Sequence, residues 1–531
     1  MITEKTIKLN ASEKQISKKR FVIISDTHIT RSRGPFNLHT FNLGVEQINK
    51  IKGVDLYLHL GDITHTGTLL EYEYAMEQFK KFKPISKCPL MILIGNHDAM
   101  NVGYLLFEEM IGRRHYEYED DEVYVIGIDS TKPDLPSGII HHNIIEAVRK
   151  RLEKPDRENK FKVVCFHHQL IPIPNTGKER SAIDDSGDML KMLLETKADL
   201  VLNGHRHTSN LYTVSSSEKD LFIFNAGTFS CNKTRYRDLF NYSIIDISED
   251  ILTFKIIPIL DSNAKREINR QVNYYLPLEL EKDQKPICKF IQFSHSLINE
   301  QSEDEITNLD KAIGKINKIK DIDLVVHTGN VTQNSYKEEF RIAKEKISKL
   351  KYPYLVVPGY TDSKPPAWEY WEQYFGEFDP LYENDKLYFQ GLNSTTRDST
   401  EGFIGRKRMN QFIEKVLTLG HQKIFGVCCF HSLIPTPLSV WRTELIDSGD
   451  VLSQFAHSQI DLCLNSSPSI SFNVKVDHTI FSNGGNLNLK RFNETFVEVD
   501  IYKKGTVVLK EHDLKTGQVN TVGNYNITIF I

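Results

Sequence analysis

The chain has 531 residues, 40% hydrophobic and 26% charged, with Lys+Arg 66 against Asp+Glu 70 and a net charge of −4. At about 100–200 residues per domain this length predicts two to four domains, and the ordinary composition excludes a mainly disordered or low-complexity chain. No basic excess points to nucleic acid, no apolar run approaches the ~20 residues that cross a bilayer, and the polar start MITEKTIKLNASEKQISKKR is no secretory leader, so a cytoplasmic protein without a membrane partner is expected. Of seven cysteines, Cys165, Cys428, Cys429 and Cys463 lie in apolar runs and none forms a CxxC pair. They read as small buried residues in a reducing compartment.

In chain order, short β-branched runs each lead into a polar cluster. FVIIS (Phe21–Ser25) is followed by Asp26, Thr27 and His28, and LYLHL (Tyr57 at its second position) by Gly61 and Asp62. An amphipathic helix is predicted over Leu69–Phe82. LMILI, ending at Ile94, leads into Gly95, Asn96, His97 and Asp98; KVVCF, ending at Phe166, into His167 and His168. A second helix is predicted over Asp188–Lys197, with Asp185 of the preceding DSGD turn as its N-cap. DLVLN, ending at Asn203, leads into Gly204, His205, Arg206 and His207. ILTFKIIPI (Ile251–Ile259) reads as a last strand. The polar stretch after it lacks a strong period and reads as a junction near residue 275. Alternating strands and helices predict an α/β fold with largely parallel strands, whose ligands sit at strand carboxyl ends.

Five of these segments recur in order. FVIISDTH (Phe21–His28) returns as FIQFSHSL (Phe290–Leu297), and VDLYLHLGDIT (Val54–Thr64) as IDLVVHTGNVT (Ile322–Thr332). CPLMILIGNHD (Cys88–Asp98) returns as YPYLVVPGYTD (Tyr352–Asp362), CFHHQLIPIP (Cys165–Pro174) as CFHSLIPTP (Cys429–Pro437), and ADLVLNGHRH (Ala198–His207) as IDLCLNSSPS (Ile460–Ser469). The pattern predicts one fold written twice, over residues 1–275 and 276–531.

Each polar cluster alone reads as a turn. Five of them, each directly after an apolar strand, gather two carboxylates, four imidazoles and one amide, which is the ligand chemistry of a two-metal hydrolase. The order D-x-H, G-D, G-N-H-D, H-H, G-H-x-H resembles the calcineurin-like metallophosphoesterases, nearest the class III cyclic-nucleotide phosphodiesterases. The resemblance implies a sandwich of two mixed β-sheets flanked by helices, here present twice. It implies that Asp26, His28, Asp62 and His207 hold one divalent ion and Asp62, Asn96, His167 and His205 the other, with Asp62 bridging. His97 is implied as proton donor to the leaving oxygen, with Asp98 orienting its ring. Such ligands suit Mn²⁺, Fe or Zn²⁺, with Mn²⁺ or an Fe/Mn pair favoured.

Plainer readings stand beside these. For His168, substrate contact and packing are equal readings. His59 and His327 repeat one another, which favours a structural role. Arg180 and Arg442 precede matching DSGD turns and read as structural ion pairs, and Asp447 as a second N-cap; the basic loop Arg31–Gly34 reads as solvated rather than nucleotide-steering. In the second copy His295, Leu297, Asn330, Tyr360, Thr361, Ser467 and Ser469 replace Asp26, His28, Asp62, Asn96, His97, His205 and His207, and His431 alone keeps a ligand position. That half is expected to be metal-free and to pair with the first within the chain. The expected activity is hydrolysis of a small nucleotide-like phosphodiester such as 3',5'-cyclic AMP. A nucleotide pyrophosphatase, a nuclease of the same superfamily and a non-catalytic scaffold module are the alternatives.

Overall fold

The computed structural model describes residues 18–83, 88–177, 183–235, 238–248, 251–275, 284–439, 445–466 and 468–528. The chain divides into two compact units, Met1–Val214 with Glu218–Leu276, and Ser215–Ser217 with Pro277–Ile531. Arg180, Arg442 and Ser467 lie outside the described residues. No helix among those described is long and apolar enough to cross a membrane, and all seven cysteines carry free thiols.

The strands of the first unit are β1 (Lys19–Ile24), β2 (Leu56–His59), β3 (Leu90–Ile92), β4 (Tyr116–Glu119), β5 (Val123–Gly127), β6 (Phe161–Cys165), β7 (Leu200–Asn203), β8 (Asn210–Ser215), β9 (Asp220–Asn225), β10 (Asn241–Ser248), β11 (Ile251–Pro258) and β12 (Arg266–Gln271). They form one sheet in the order β12-β11-β10-β1-β2-β3 and a second run in the order β8-β9-β7-β6-β5-β4. Both are mixed. β1, β2 and β3 are parallel, as are β5, β6, β7 and β9, while β10 to β12 and β4 pair antiparallel. Parallel strands are thus confined to the part of each sheet that carries the polar clusters.

The period-2 alternation of side chains explains the layering. On β1, Phe21 and Ile23 enter a core shared with Leu58, Val125, Val163, Leu202 and Phe224, between the two sheets. Val22 and Ile24 point the other way, onto Phe41 and Val45 of α1 (Leu38–Ile48) and Tyr72 and Phe79 of α2 (Leu69–Phe79). Each fully buried side chain of this size contributes roughly 1.5–3 kcal/mol. The helix expected over Leu69–Phe82 ends at Phe79, and the one expected over Asp188–Lys197 runs Ser186–Glu195.

Two expectations fail here. Ile251–Ile259 is not the last strand of the first unit, since β12 follows it, paired along β11. β12 is an edge strand whose residues are exposed or half-buried, so its sequence carries no apolar period. Asp185 sits at the N-cap position, but its carboxylate accepts from Ile140 N (3.1 Å) and His141 N (2.8 Å), not from its own helix. Asp447 does the same with Ile404 N and Gly405 N. Both tie a preceding loop to the helix rather than cap it.

The second unit repeats this plan. β13 (Cys288–Phe293), β14 (Leu324–His327), β15 (Tyr354–Val356), β16 (Leu381–Glu383), β17 (Leu387–Gly391), β18 (Ile424–Cys428), β19 (Leu462–Asn465), β20 (Phe472–Val476), β21 (Thr479–Asn483), β22 (Thr495–Ile501), β23 (Thr506–Asp513) and β24 (Val519–Asn526) follow in chain order. One sheet runs β15-β14-β13-β22-β23-β24 and the other run is β16-β17-β18-β19-β21-β20, matching the first unit strand for strand.

Candidate metal centre

Five parallel strands of the first unit end at one place. β1 delivers Asp26 and His28, β2 Asp62, β3 Asn96 and His97, β6 His167, and β7 His205 and His207. Asp26, His28, Asp62, His205 and His207 have φ of +53°, +48°, +56°, +70° and +54°. These left-handed turns, which cost roughly 1–2 kcal/mol per non-glycine residue, fold each side chain back over its strand end. Gly95 lies so close to Asp62 that any Cβ there would collide with the Asp62 backbone nitrogen and carboxylate.

The side chains converge. Asp26, His28, Asp62 and His207 offer ligand atoms all within 4.8 Å of one another, as do Asp62, His167 and His205, so Asp62 belongs to both groups. Asp62 Oδ2 lies 3.4 Å from His28 Nε2 and 3.3 Å from His167 Nε2. His207 Nε2 is 3.2 Å from Asp26 Oδ1 and 3.2 Å from His28 Nε2. Asn96 Oδ1 is 3.2 Å from His167 Nε2 and 2.9 Å from His205 Nδ1.

This arrangement fits cations. His167 Nδ1 donates to the Leu60 carbonyl (2.7 Å) and His207 Nδ1 to the Lys233 carbonyl (2.8 Å), so each ring keeps its Nδ1 proton there and turns inward an Nε2 that becomes a bare donor when a cation displaces its proton. Lone pairs of imidazole, carboxylate and amide then face one another in a buried space, and Asp26 Oδ1 has no hydrogen-bond partner among the described residues. Burial pushes the His28 and His205 imidazoles well below their ordinary range, which leaves them neutral donors. Burial acts likewise on His167 and His207, but the carboxylates of Asp62 and Asp26 outweigh it and raise them to about 9 and about 10. The acid pair thus draws positive charge into the cluster, and divalent cations satisfy the same demand.

His97 lies beside the cluster, its ring 4.5 Å from that of His28. Its Nδ1 donates to the His65 carbonyl at 2.6 Å, which leaves Nε2 free. Asp98 does not orient it. The Asp98 carboxylate accepts from Ile63 N (3.0 Å), Thr64 N (2.7 Å), Thr64 Oγ1 (2.9 Å) and Gly95 N (2.9 Å), so its lone pairs tie two loops together. His168 is fully buried beside the centre, its ring 4.7 Å from that of His205 and its Nδ1 2.8 Å from Ser130 Oγ. Arg31 pairs with Glu77 and lies over the Tyr74 ring. Two residues escaped sequence reasoning. Cys231, fully buried, comes within ligand reach of His28 and His207, and His65 within reach of His28 and His97. Neither follows a strand directly, so no motif marked them.

The second unit separates scaffold from function. His295 N and Leu297 N bond to Gly329 O and Asn330 O as Asp26 N and His28 N bond to Gly61 O and Asp62 O. Even Leu297 keeps a left-handed φ of +42°, so the fold itself dictates this backbone path. Asp362 accepts from Val331 N, Thr332 N, Thr332 Oγ1 and Gly359 N, matching Asp98 bond for bond. His327 Nε2 meets Ser296 Oγ as His59 Nε2 meets Thr27 Oγ1, which places both histidines in the scaffold.

The same comparison corrects the position given to His431. Ser466 N bonds to Phe430 O as Gly204 N bonds to His167 O, and His431 Nδ1 is 2.8 Å from Ser394 Oγ as His168 Nδ1 is from Ser130 Oγ. His431 therefore corresponds to His168, and Phe430 takes the place of His167. In this register Cys428–Pro437 matches Cys165–Pro174 residue for residue, and matching Cys429 to Cys165 by letter sets His431 one position off. All groups of three or more potential metal ligands among the described residues lie in the first unit.

Residues 19–209 match the family model described as calcineurin-like phosphoesterase. A probable cyclic nucleotide phosphodiesterase of Ruthia magnifica subsp. Calyptogena magnifica is 25% identical over 190 residues, covering 35% of this chain and 77% of that protein. A probable glycerophosphodiester phosphodiesterase GpdQ of Arcobacter nitrofigilis is 31% identical over 104 residues, 18% of this chain and 36% of that protein. Among solved structures, a purple acid phosphatase from yellow lupin, Lupinus luteus, aligns at 15% identity with a TM-score of 0.39, covering 48% of this chain and 54% of that one. Through residues 19–209 the chain carries a calcineurin-like phosphoesterase domain, the domain of a metal-dependent phosphoric ester hydrolase.

Proposed function

We propose that the first unit is a dinuclear phosphodiesterase for small nucleotide-like diesters such as 3',5'-cyclic AMP. Asp26, His28, Asp62 and His207 hold one divalent ion, and Asp62, Asn96, His167 and His205 the other. The observation that carries this reading is Asp62 Oδ2, set 3.4 and 3.3 Å from one imidazole of each group. The nitrogen and oxygen donors suit Mn²⁺, Fe or Zn²⁺, and Mn²⁺ or an Fe/Mn pair is favoured. Two such ions supply charge neutralisation for the phosphoryl oxygens and a more acidic water.

The chain's own residues do the rest. The Leu60 and Lys233 carbonyls fix the rings of His167 and His207. Asp62 Oδ1 accepts from His97 N at 2.9 Å, which ties the proton donor's backbone to the centre. His97 holds one proton at Nδ1 against the His65 carbonyl and delivers a second from Nε2 to the leaving oxygen. The second unit, with Phe430, Leu297 and Asn330 at ligand positions, binds no metal. The relatives' names support a diester, in one case cyclic nucleotides and in the other glycerophosphodiesters.

A panel of cyclic nucleotides, glycerophosphodiesters, nucleotide pyrophosphates, single-stranded DNA and phosphomonoesters, assayed with added Mn²⁺, tests the reading. Cyclic 3',5'-nucleotides are expected to give the highest kcat/KM. A glycerophosphodiester, pyrophosphate or DNA ahead of them overturns the substrate, and no hydrolysis by metal-loaded protein overturns the enzyme in favour of a scaffold.

A further inference from the structure

The two units share a scaffold, so positions where they differ around the centre mark what the first unit adds. The seven proposed ligands and His97 are such positions. His65 is another. Thr64 and Thr332 occupy one place, each bonding to the following aspartate, so Gln333 stands where His65 stands. Thr361 likewise stands where His97 stands, its N bonding to Asn330 Oδ1 as His97 N bonds to Asp62 Oδ1. The two imidazoles are therefore present together in one unit and absent together in the other.

They also act on one another. The His65 and His97 rings are stacked, 5.3 Å between centroids and 16° between planes. The His65 carbonyl takes the Nδ1 proton of His97 at 2.6 Å. The His65 ring is 5.6 Å from the His28 ring, which closes the third side of a small triangle of imidazoles. His65 Nδ1 is buried and has no hydrogen-bond partner among the described residues. The contact the ring makes with His97 is through its flat face.

We infer that His65 is the positioning residue of His97: its carbonyl fixes the proton on Nδ1 and its ring fixes the plane, so that Nε2 is presented to the leaving oxygen. A histidine bonded through Nδ1 alone still pivots about that bond. A second ring lying parallel beside it removes the pivot, and proton transfer depends on that geometry. The inference rests on the proposed role of His97 and adds a residue to it. A side chain of this kind affects the chemical step through His97 and leaves metal binding alone.

The test is a double-mutant cycle in the full chain, with metal content measured for every variant. Two diesters are compared, one with an alkoxide and one with a p-nitrophenolate leaving group, since the second needs little proton donation. His65→Ala is expected to lower kcat about 10–100-fold on the alkoxide ester, part of the ~10²–10⁴-fold that a positioned proton donor supplies. KM and metal content stay unchanged, and the p-nitrophenyl ester loses less. In a His97→Ala background, His65→Ala is expected to cost nothing further, because its route to the chemistry is gone. His65→Phe keeps a flat ring without nitrogens and is expected to restore most of the rate.

An undiminished loss in the His97→Ala background, a His65→Phe variant as slow as His65→Ala, or a metal ion lost with His65 each overturns the inference. The first two outcomes make His65 a direct contact of the substrate, and the third makes it a ligand. If His97→Ala itself shows no dependence on the leaving group, the proposed role of His97 fails instead. The two failures are read from different variants.

Discussion

Asp62→Asn changes one charge and almost no shape. The second unit shows that the amide fits: Asn330 Oδ1 accepts from Thr361 N at 3.0 Å, as Asp62 Oδ1 accepts from His97 N at 2.9 Å, and both residues share a φ of +56°. The fold is therefore expected to survive. The charge is not replaced. Two unit charges about 4 Å apart at an effective dielectric near 20 attract by about 4 kcal/mol. At about 1.4 kcal/mol per factor of ten, losing that attraction weakens each ion by roughly 10³-fold or more, since a divalent ion carries two charges. The assay is equilibrium dialysis against Mn²⁺ with elemental analysis, alongside turnover of a diester and thermal melting of the apo protein. Expected are an apo melting temperature close to wild type, fewer than two ions at micromolar Mn²⁺, and no turnover. Two tightly held ions with near wild-type turnover would refute the bridging role. An unfolded variant is countered by Asp62→Glu, which keeps the charge and is expected to hold metal better than Asn.

Three further outcomes follow from the geometry. His97→Ala is expected to leave metal content intact and slow diester turnover ~10²–10⁴-fold, with a smaller loss for good leaving groups; concurrent loss of metal would make His97 a ligand. His431→Ala removes bonds to Ser394 and Thr400 in the second unit. It is expected to lower the melting temperature while metal content and turnover stay at wild type, and a drop in either contradicts the corrected register. Glu498 lies buried between His512 (2.9 Å), Lys289 (2.6 Å) and Lys510 (3.3 Å). Burial opposes its charge, but these three outweigh it and hold the carboxyl far below the usual range. A depressed carboxyl stabilises above its unfolded value of about 4.3 and loses that contribution as pH falls. Glu498→Gln is accordingly expected to cost about 1–3 kcal/mol at pH 7, with the gap to wild type closing on acidification below about pH 4. A gap unchanged by acid would contradict the assignment.

The strand ends were readable because strands, glycines and ligands fall together in the sequence. An apolar run stops where the chain turns, and at Asp26, Asp62 and His205 the turn and the ligand are the same residue. What escaped reading depends on contacts between distant segments. Asp98 looks like a partner for its neighbour His97, yet its four donors come from Ile63, Thr64 and Gly95. His65 sits in a loop of polar residues, and only the folded chain stacks it on His97. Cys231 reaches the cluster from the segment between β9 and β10. β12 is an edge strand with no apolar period. The misplaced His431 shows the limit of alignment by letters: CFH matches CFH, but the strand ladders pair Cys428 with Gly391 and Cys165 with Gly127, which sets Phe430 opposite His167.

The central claim is that one unit holds two ions across a single carboxylate and the other holds none. Anomalous diffraction at the manganese edge, from crystals of the full chain grown with Mn²⁺, tests it most directly. The account predicts two peaks, one on each side of the Asp62 carboxylate, and none beside Asn330. A single peak at Asp62, or any peak among His295, Asn330 and Phe430, would contradict it.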